Sequence, residues 1–299
     1  MPTLTVFTPT YNRAHTLPRL FESLLRQTSK DFEWLVIDDG STDNTKELIK
    51  SWMESSHFPI RYILQENQGM HGAHNTAYRN IETDLNTCID SDDWMPEKAV
   101  ENIINFWQKN GSDTYAGIIG LDQYENGDII GTKFPSGLKE TTLTEFNTKI
   151  GNGDKKLVFR SDIIKEYPEY PIFKDEKYVG LAYKYMLIDK DYKLLTLNKP
   201  LVIVEYQQEG SSYNMYRQYW NNPKGFSFYR KTEMVLAPSL KRKFISATHY
   251  VATSLIDKNK SFLSESPKKL LTLFAIPGGI AWYFIIKNKV RNNKKMNFK

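Results

Sequence analysis

"EWLVIDDGSTDNTKELIKSWM" (33–53) changes character twice in a short distance. "EWLVIDD" (33–39) is a near-continuous apolar run that ends in two aspartates, the pattern of a strand buried on both faces of a parallel sheet. "GSTDNT" then supplies a polar turn, with Ser41 or Asp43 placed to cap a helix, and "KELIKSWM" continues as that helix. The same unit recurs on either side. "LTVFTP" (4–9) reads as a strand, followed by a helix over "TLPRLFESLLRQ" (16–27), where Leu17, Leu20, Phe21, Leu24 and Leu25 share one face. "IRYILQ" (60–65) and "LNTCI" (85–89) read as further strands, each followed by a helix: "GAHNTAYRNI" (72–81) and "PEKAVENIINFWQK", which Pro96 is placed to open. Strands alternating with helices predict an α/β fold with a mainly parallel central sheet flanked by helices.

In such sheets ligands bind beyond the carboxyl ends of the strands. The polar clusters Thr8–Arg13, Asp38–Asp43, Asn67–Asn75 and Asp90–Asp93 all fall there. Past residue 110 the alternation loosens. "YAGIIGLDQYENGDIIGTKF" predicts two strands around an Asn-Gly turn, "KKLVFRS" (155–161) and "LVIVEYQ" (201–207) read as strands, and "KYVGLAYKYMLI" (177–188) as a helix. A nucleotide-binding half (1–110) and an acceptor-binding half (111–235) are expected to share one sheet, followed by C-terminal helices over 236–299.

"NTCIDSDDWMP" (86–96) crowds three aspartates behind an apolar run. If the backbone stays extended past Ile89, Asp90 and Asp92 face one side and Asp93 the other. Two convergent carboxylates without a neighbouring His or Cys suit Mg²⁺ or Mn²⁺; a solvated turn is the competing reading. Neither GxxxxGK[ST] nor GxGxxG occurs, so phosphate binding rests on metal and side chains rather than on a glycine-rich loop. "TPTYNR" puts Tyr11 and Arg13 beside the first strand end, and Asp39 is able to accept a hydrogen bond from a base N–H.

The 299 residues, 40% hydrophobic and 25% charged, describe a globular chain. The single cysteine, Cys88, reads as a small buried hydrophobe compatible with a reducing cytosol. "MPTLTVFTPTYNR" reads as a first strand rather than a signal peptide. The net charge of +5 is concentrated in 287–299, which hold six basic residues and no acidic one. Ahead lies the uncharged "LLTLFAIPGGIAWYFII" (270–286). As a helix it spans about 25 Å, short of the roughly 30 Å hydrocarbon core, and Pro277-Gly278-Gly279 is expected to break it. A helix lying in one leaflet, with the basic tail on anionic headgroups, fits this pattern; a packed C-terminal hairpin is the alternative.

"TPTYNR", "VIDDGSTDNT", "NQGMHGAHNTAYRN" and "CIDSDDWMPEKAVE", in this order and spacing, resemble the N-terminal half of family 2 glycosyltransferases with the GT-A fold. "FKDEKYV", "VIVEYQQEGSS" and "NNPKG" resemble a bacterial branch of that family devoted to surface polysaccharides. The resemblance implies a UDP-sugar donor, with Thr8, Pro9, Tyr11 and Arg13 lining the nucleoside and Asp39 on the uracil N3–H. It places Asn67, Gly69, His71 and Asn75 near the diphosphate and sugar. Asp90, Ser91 and Asp92 form a DxD motif, Asp92 being the direct metal ligand and Asp90 its companion. It further implies inversion in one displacement, with the base drawn from Asp175-Glu176. The branch tends to carry another acidic residue a few positions on, and this chain departs from it with Leu181 and Ala182.

The expected partners are a UDP-sugar, a glycan or lipid-linked acceptor, and the inner face of the cell membrane, which the chain meets from the cytoplasm as a peripheral protein. Nucleic acid is not expected, because the basic residues sit in the tail rather than along a groove with aromatics. Two other classes compete: a membrane-docked glycan-binding relative lacking the base, and a nucleotidyltransferase, whose N-terminal glycine loop is missing. His71 and His74 lack a third ligand for zinc. Asp189 and Asp191 read as a helix-to-strand loop, and Glu205–Ser212 as either acceptor side or edge strand.

Overall fold

The computed structural model describes residues 2–205 and 215–296, with side chains as far as Asn292. The expectation for Glu205–Ser212 lies outside the described residues except at Glu205. The chain forms two compact units, one of Met1–Glu169 with Lys184–Tyr206 and one of Tyr170–Tyr183 with Gln207–Lys299.

The first unit is built on one eight-stranded sheet, β1 (Leu4–Thr10), β2 (Phe32–Asp38), β3 (Ile60–Leu64), β4 (Leu85–Cys88), β5 (Tyr115–Gln123), β6 (Glu140–Thr141), β7 (Lys155–Arg160) and β8 (Lys193–Ile203), in the order β3-β2-β1-β4-β7-β5-β8-β6. β3, β2, β1 and β4 are parallel. β7 runs antiparallel to both β4 and β5, β5 pairs parallel with β8, and β6 is antiparallel to β8. The sheet is therefore mixed. Its parallel part is the apolar stretch of the sequence: every residue of β1 and β2 is buried, as double-sided helix cover requires.

Helices α1 (Leu17–Leu25), α2 (Thr45–Ser55), α3 (Met70–Asn80) and α4 (Ala99–Asn110) follow these four strands, and α5 (Leu143–Glu145), α6 (Ser161–Glu166) and α7 (Ala182–Ile188) are short. The core gathers Leu17, Leu20 and Leu24 of α1 against Trp34 and Val36 of β2, all fully buried. Three expectations about these elements need correcting. Pro96 does not open α4; Pro96–Lys98 form a turn closed by Ala99 N–H donating to Pro96 O, and the helix starts at Ala99. The second strand of the Asn-Gly hairpin shrinks to a single bridge, Gln123 to Ile129. The helix anticipated over 177–188 covers only Ala182–Ile188.

The second unit contains α8 (Met215–Asn221), α9 (Pro223–Leu236), α10 (Leu240–Ile256), α11 (Phe262–Glu265) and α12 (Lys269–Met296). Pro277 and its two glycines do not break α12, which is one helix of 28 residues, about 42 Å long. Proline removes one helical hydrogen bond, but packing on α10 holds the helix through that point. A Cβ on Gly279 would lie 2.4 Å from Val251 Cβ and Cγ1. The glycine therefore serves close helix approach rather than a break.

Candidate active site

The polar loops beyond the parallel strands are stitched to one another. Asn12, held at φ 54°, a left-handed conformation that Asn tolerates, accepts from Thr42 N–H through Oδ1 (2.7 Å) while its own N–H donates to Ser41 Oγ (2.9 Å). Ala14 N–H donates to Asp43. Next to these, Thr8 is buried and accepts from Trp34 Nε1 at 3.0 Å, Pro9 is buried, and Tyr11 is half exposed.

Asp39 is buried, and its carboxylate accepts from Gln65 Nε2 and the backbone N–H groups of Gln68 and Gly69 at 2.7–2.8 Å. It thereby latches the loop that leads into α3. Gly69, at φ 84°, makes the turn there, a conformation that costs side-chain-bearing residues energy. Asn67 sits in this loop, while His71 and Asn75 are buried along the first turns of α3.

The backbone does not stay extended past Ile89. Asp93 N–H donates to Asp90 O at 3.0 Å, so residues 90–93 form a β-turn. The side-to-side alternation of an extended strand therefore does not apply to Asp93, whose carboxyl feels the charges of both Asp90 and Asp92. Burial raises its carboxyl to about 8, with the charges of Asp90 and Asp92 adding to the effect. Burial followed by the charge of Asp90 likewise raises Asp92, against the pull of Arg13 and Arg19. Ser91 is buried within the turn.

Several residues that the sequence did not single out hold this turn in place. Arg19 donates from Nη2 to Asp92 O (2.7 Å) and its guanidinium lies 3.8 Å over the Trp94 ring. Trp94 exchanges both backbone hydrogen bonds with Ile203, and Asp93 Oδ1 accepts from Glu205 N–H. Lys156 on β7 donates to Cys88 O at 3.0 Å. Asp122, Asp90 and Asp93 draw its ammonium pKa upward against burial. Asp122 is buried, has a raised pKa of about 6 because of that burial, and leaves Oδ1 without a hydrogen-bond partner among the described residues. What brings Lys156 and Asp122 to the turn is strand register, β7 pairing antiparallel with both β4 and β5, and no local pattern in the sequence announces that pairing.

Among the described residues no three His, Cys, Asp or Glu side chains form a metal site on their own. The donor set fits a hard cation that takes a carboxylate or two from the protein and the rest from phosphate and water. Asp92 and Asp93, raised by burial and by the charge of Asp90, are carboxylates that such a cation would stabilise in their charged form.

In the second unit, Glu176 is buried and both carboxylate oxygens are engaged, by Lys224 N–H (3.0 Å) and Gly225 N–H (2.8 Å) at the start of α9. It caps a helix N-terminus. Asp175 is exposed and held at φ 65°. It borders a cavity of about 340 Å³ lined also by Lys174, Trp220, Lys224 and Asp257. In the first unit, Asp189 accepts from Leu143 and Thr144 N–H, and Asp191 from Tyr167 Oη; both are structural.

A mixed α/β sheet whose parallel strands end in gathered polar loops, with clustered carboxylates among them, has the architecture of the GT-A class. The family model of glycosyl transferase family 2 matches residues 5–167, more than half of the chain. The chain belongs to that family.

It is 40% identical over 100 residues to the glycosyltransferase GlyA of Streptococcus pneumoniae, covering 33% of this chain and 14% of that one. It is 27% identical over 230 residues to the GalNAc(5)-diNAcBac-PP-undecaprenol β-1,3-glucosyltransferase of Campylobacter jejuni, covering 73% and 71%. The match spans about half or less of the length of the first curated relatives. The crystal structure of S. aureus TarS 1–349 in complex with UDP-GlcNAc superimposes with a TM-score of 0.58 at 18% identity, covering 98% of this chain and 92% of that one, which is a likeness of fold.

Proposed function

We propose that the protein is an inverting, metal-dependent glycosyltransferase that moves a sugar from a UDP-sugar to a lipid-linked or wall-linked bacterial glycan. The observation that carries this reading is the turn Asp90–Asp93, where clustered carboxylates meet Lys156 below and Arg19 beside them. Thr8, Pro9, Tyr11 and Arg13 would bound the nucleoside, with Asp39 ordering the loop at its edge. Asn67, Gly69, His71 and Asn75, at the start of α3, would bound the diphosphate, where a helix N-terminus favours negative charge.

Asp92, with Asp90, would hold Mn²⁺ or Mg²⁺. When bound, the cation offsets the charge that builds on UDP as the glycosidic bond breaks. Arg13 and Arg19 add positive field on the same side. Asp175, exposed and without a capping duty, would accept the proton of the attacking acceptor hydroxyl. Glu176 is occupied as a helix cap and would position its neighbour. The C. jejuni relative is named for an undecaprenol-linked acceptor, which supports an acceptor at the inner face of the cell membrane, met from the cytoplasm.

A panel of UDP-sugars tests this. Metal-dependent hydrolysis of one donor, lost in Asp92→Ala, is the expected result. Donor-independent silence with intact UDP binding would favour a glycan-binding relative that lacks the base.

A further inference from the structure

The helix α12 is long and apolar enough over Lys269–Asn292 to cross a membrane, and 22% of its most apolar window is buried. Its two faces differ. Thr272, Ala275 and Ile286 are fully buried, and Gly279 sits against Val251 of α10. On the opposite side Leu270 and Phe274 are 74% and 73% exposed, and Leu273, Phe284 and Ile285 are about half exposed. At 100° per residue these five positions, with Pro277 and Ala281 between them, fall on one stripe. A soluble monomer rarely leaves so long an apolar stripe in water.

Cations bracket the stripe: Lys268 and Lys269 at one end, Lys287, Lys289 and Arg291 at the other. No acidic residue occurs after Glu265. One face of the helix is committed to α10, so a span would carry α10 into the bilayer beside it. Among the described residues only Lys269–Asn292 is long and apolar enough to cross a membrane, and α10 is not.

We infer that α12 docks the protein flat on an anionic lipid surface. The stripe from Leu270 to Ile285 is embedded among the acyl chains, the flanking lysines and arginine lie at headgroup level, and the α10 face stays packed on protein. This deepens the membrane-acceptor reading above and rests on it for the location of the membrane. The committed occupant is lipid because apolar surface bracketed by positive charge matches an anionic bilayer.

The test is flotation of the full chain with vesicles of phosphatidylglycerol and phosphatidylethanolamine, against vesicles of phosphatidylcholine alone. Binding to the anionic vesicles is expected, weakened by salt. The triple variant L270Q/F274Q/F284Q should reduce it by about a hundredfold or more, and K287Q/K289Q/R291Q should weaken it while flattening its dependence on salt. These positions face water, and unchanged circular dichroism and UDP binding would show that the variants fold. UDP binding also separates the outcomes, since it tests the donor site without a membrane. Undiminished flotation of the apolar variant would overturn the inference. So would resistance of the wild-type protein to alkaline extraction, which indicates a span, or a dimer in vesicle-free solution that the apolar substitutions dissolve, which assigns the stripe to a second copy.

Discussion

Asp175 and Glu176 are adjacent, carry the same charge, and sit in different physical situations. Glu176 accepts two backbone N–H groups at the start of α9, so Glu176→Ala should destabilise the protein by about 1–2 kcal/mol, measured by chemical denaturation. Asp175→Asn should leave stability unchanged, since Asn tolerates its left-handed backbone, and lower kcat by about a hundredfold or more. Equal kcat losses in the two variants, without a stability difference, would contradict this division. The sequence marked the pair as acidic; only the contacts with Lys224 and Gly225 separate their roles. The same holds for Asp93, whose inclusion with Asp90 and Asp92 follows from a turn that a strand-based reading replaced with extension.

His249 also acts at this scale. Its Nδ1 lies 2.7 Å from Tyr219 Oη, its ring stacks on Trp282, and burial followed by the Arg230 charge lowers its pKa to about 3. Between roughly pH 6.5 and 3 the unfolded chain binds a proton that the folded one refuses. Its contribution is therefore complete above pH 6.5 and is lost as pH falls, at up to about 1.4 kcal/mol per pH unit. His249→Gln should flatten the acid limb of a stability–pH curve; an unchanged limb would count against it.

At the scale of elements, β1 to β4 and their helices were legible because buried parallel strands are written as continuous apolar runs with polar turns. The later strands were placed less well: β7 enters the sheet between β4 and β5, a long-range choice with no local signature. The misread feature is α12, where Pro277 predicts a break and the packing of Gly279 on Val251 keeps one helix. Gly279→Leu should therefore loosen α10 from α12, costing about 1–3 kcal/mol, read as a lowered unfolding midpoint. Lys156 shows the same dependence on register. It serves carboxylates from two neighbouring strands, so Lys156→Met should cost about 3 kcal/mol by leaving buried charge uncompensated. Mn²⁺ with UDP should recover part of that loss by binding the native state.

For the whole molecule, family membership and fold rest on the sheet and the matched residues 5–167, while donor, metal and acceptor rest on the chemistry of the strand ends. The opening stretch, with its strand, polar turn and helix, already carried the class. The crowded aspartates needed their turn, Arg19 and Lys156 before their arrangement made physical sense. The most direct measurement is calorimetric titration of UDP into the full chain, with and without Mn²⁺. The account predicts binding that Mn²⁺ strengthens at least about tenfold and that Asp92→Ala reduces to the metal-free level. Equal UDP affinity with and without Mn²⁺, or an Asp92→Ala variant that keeps the metal effect, would contradict it.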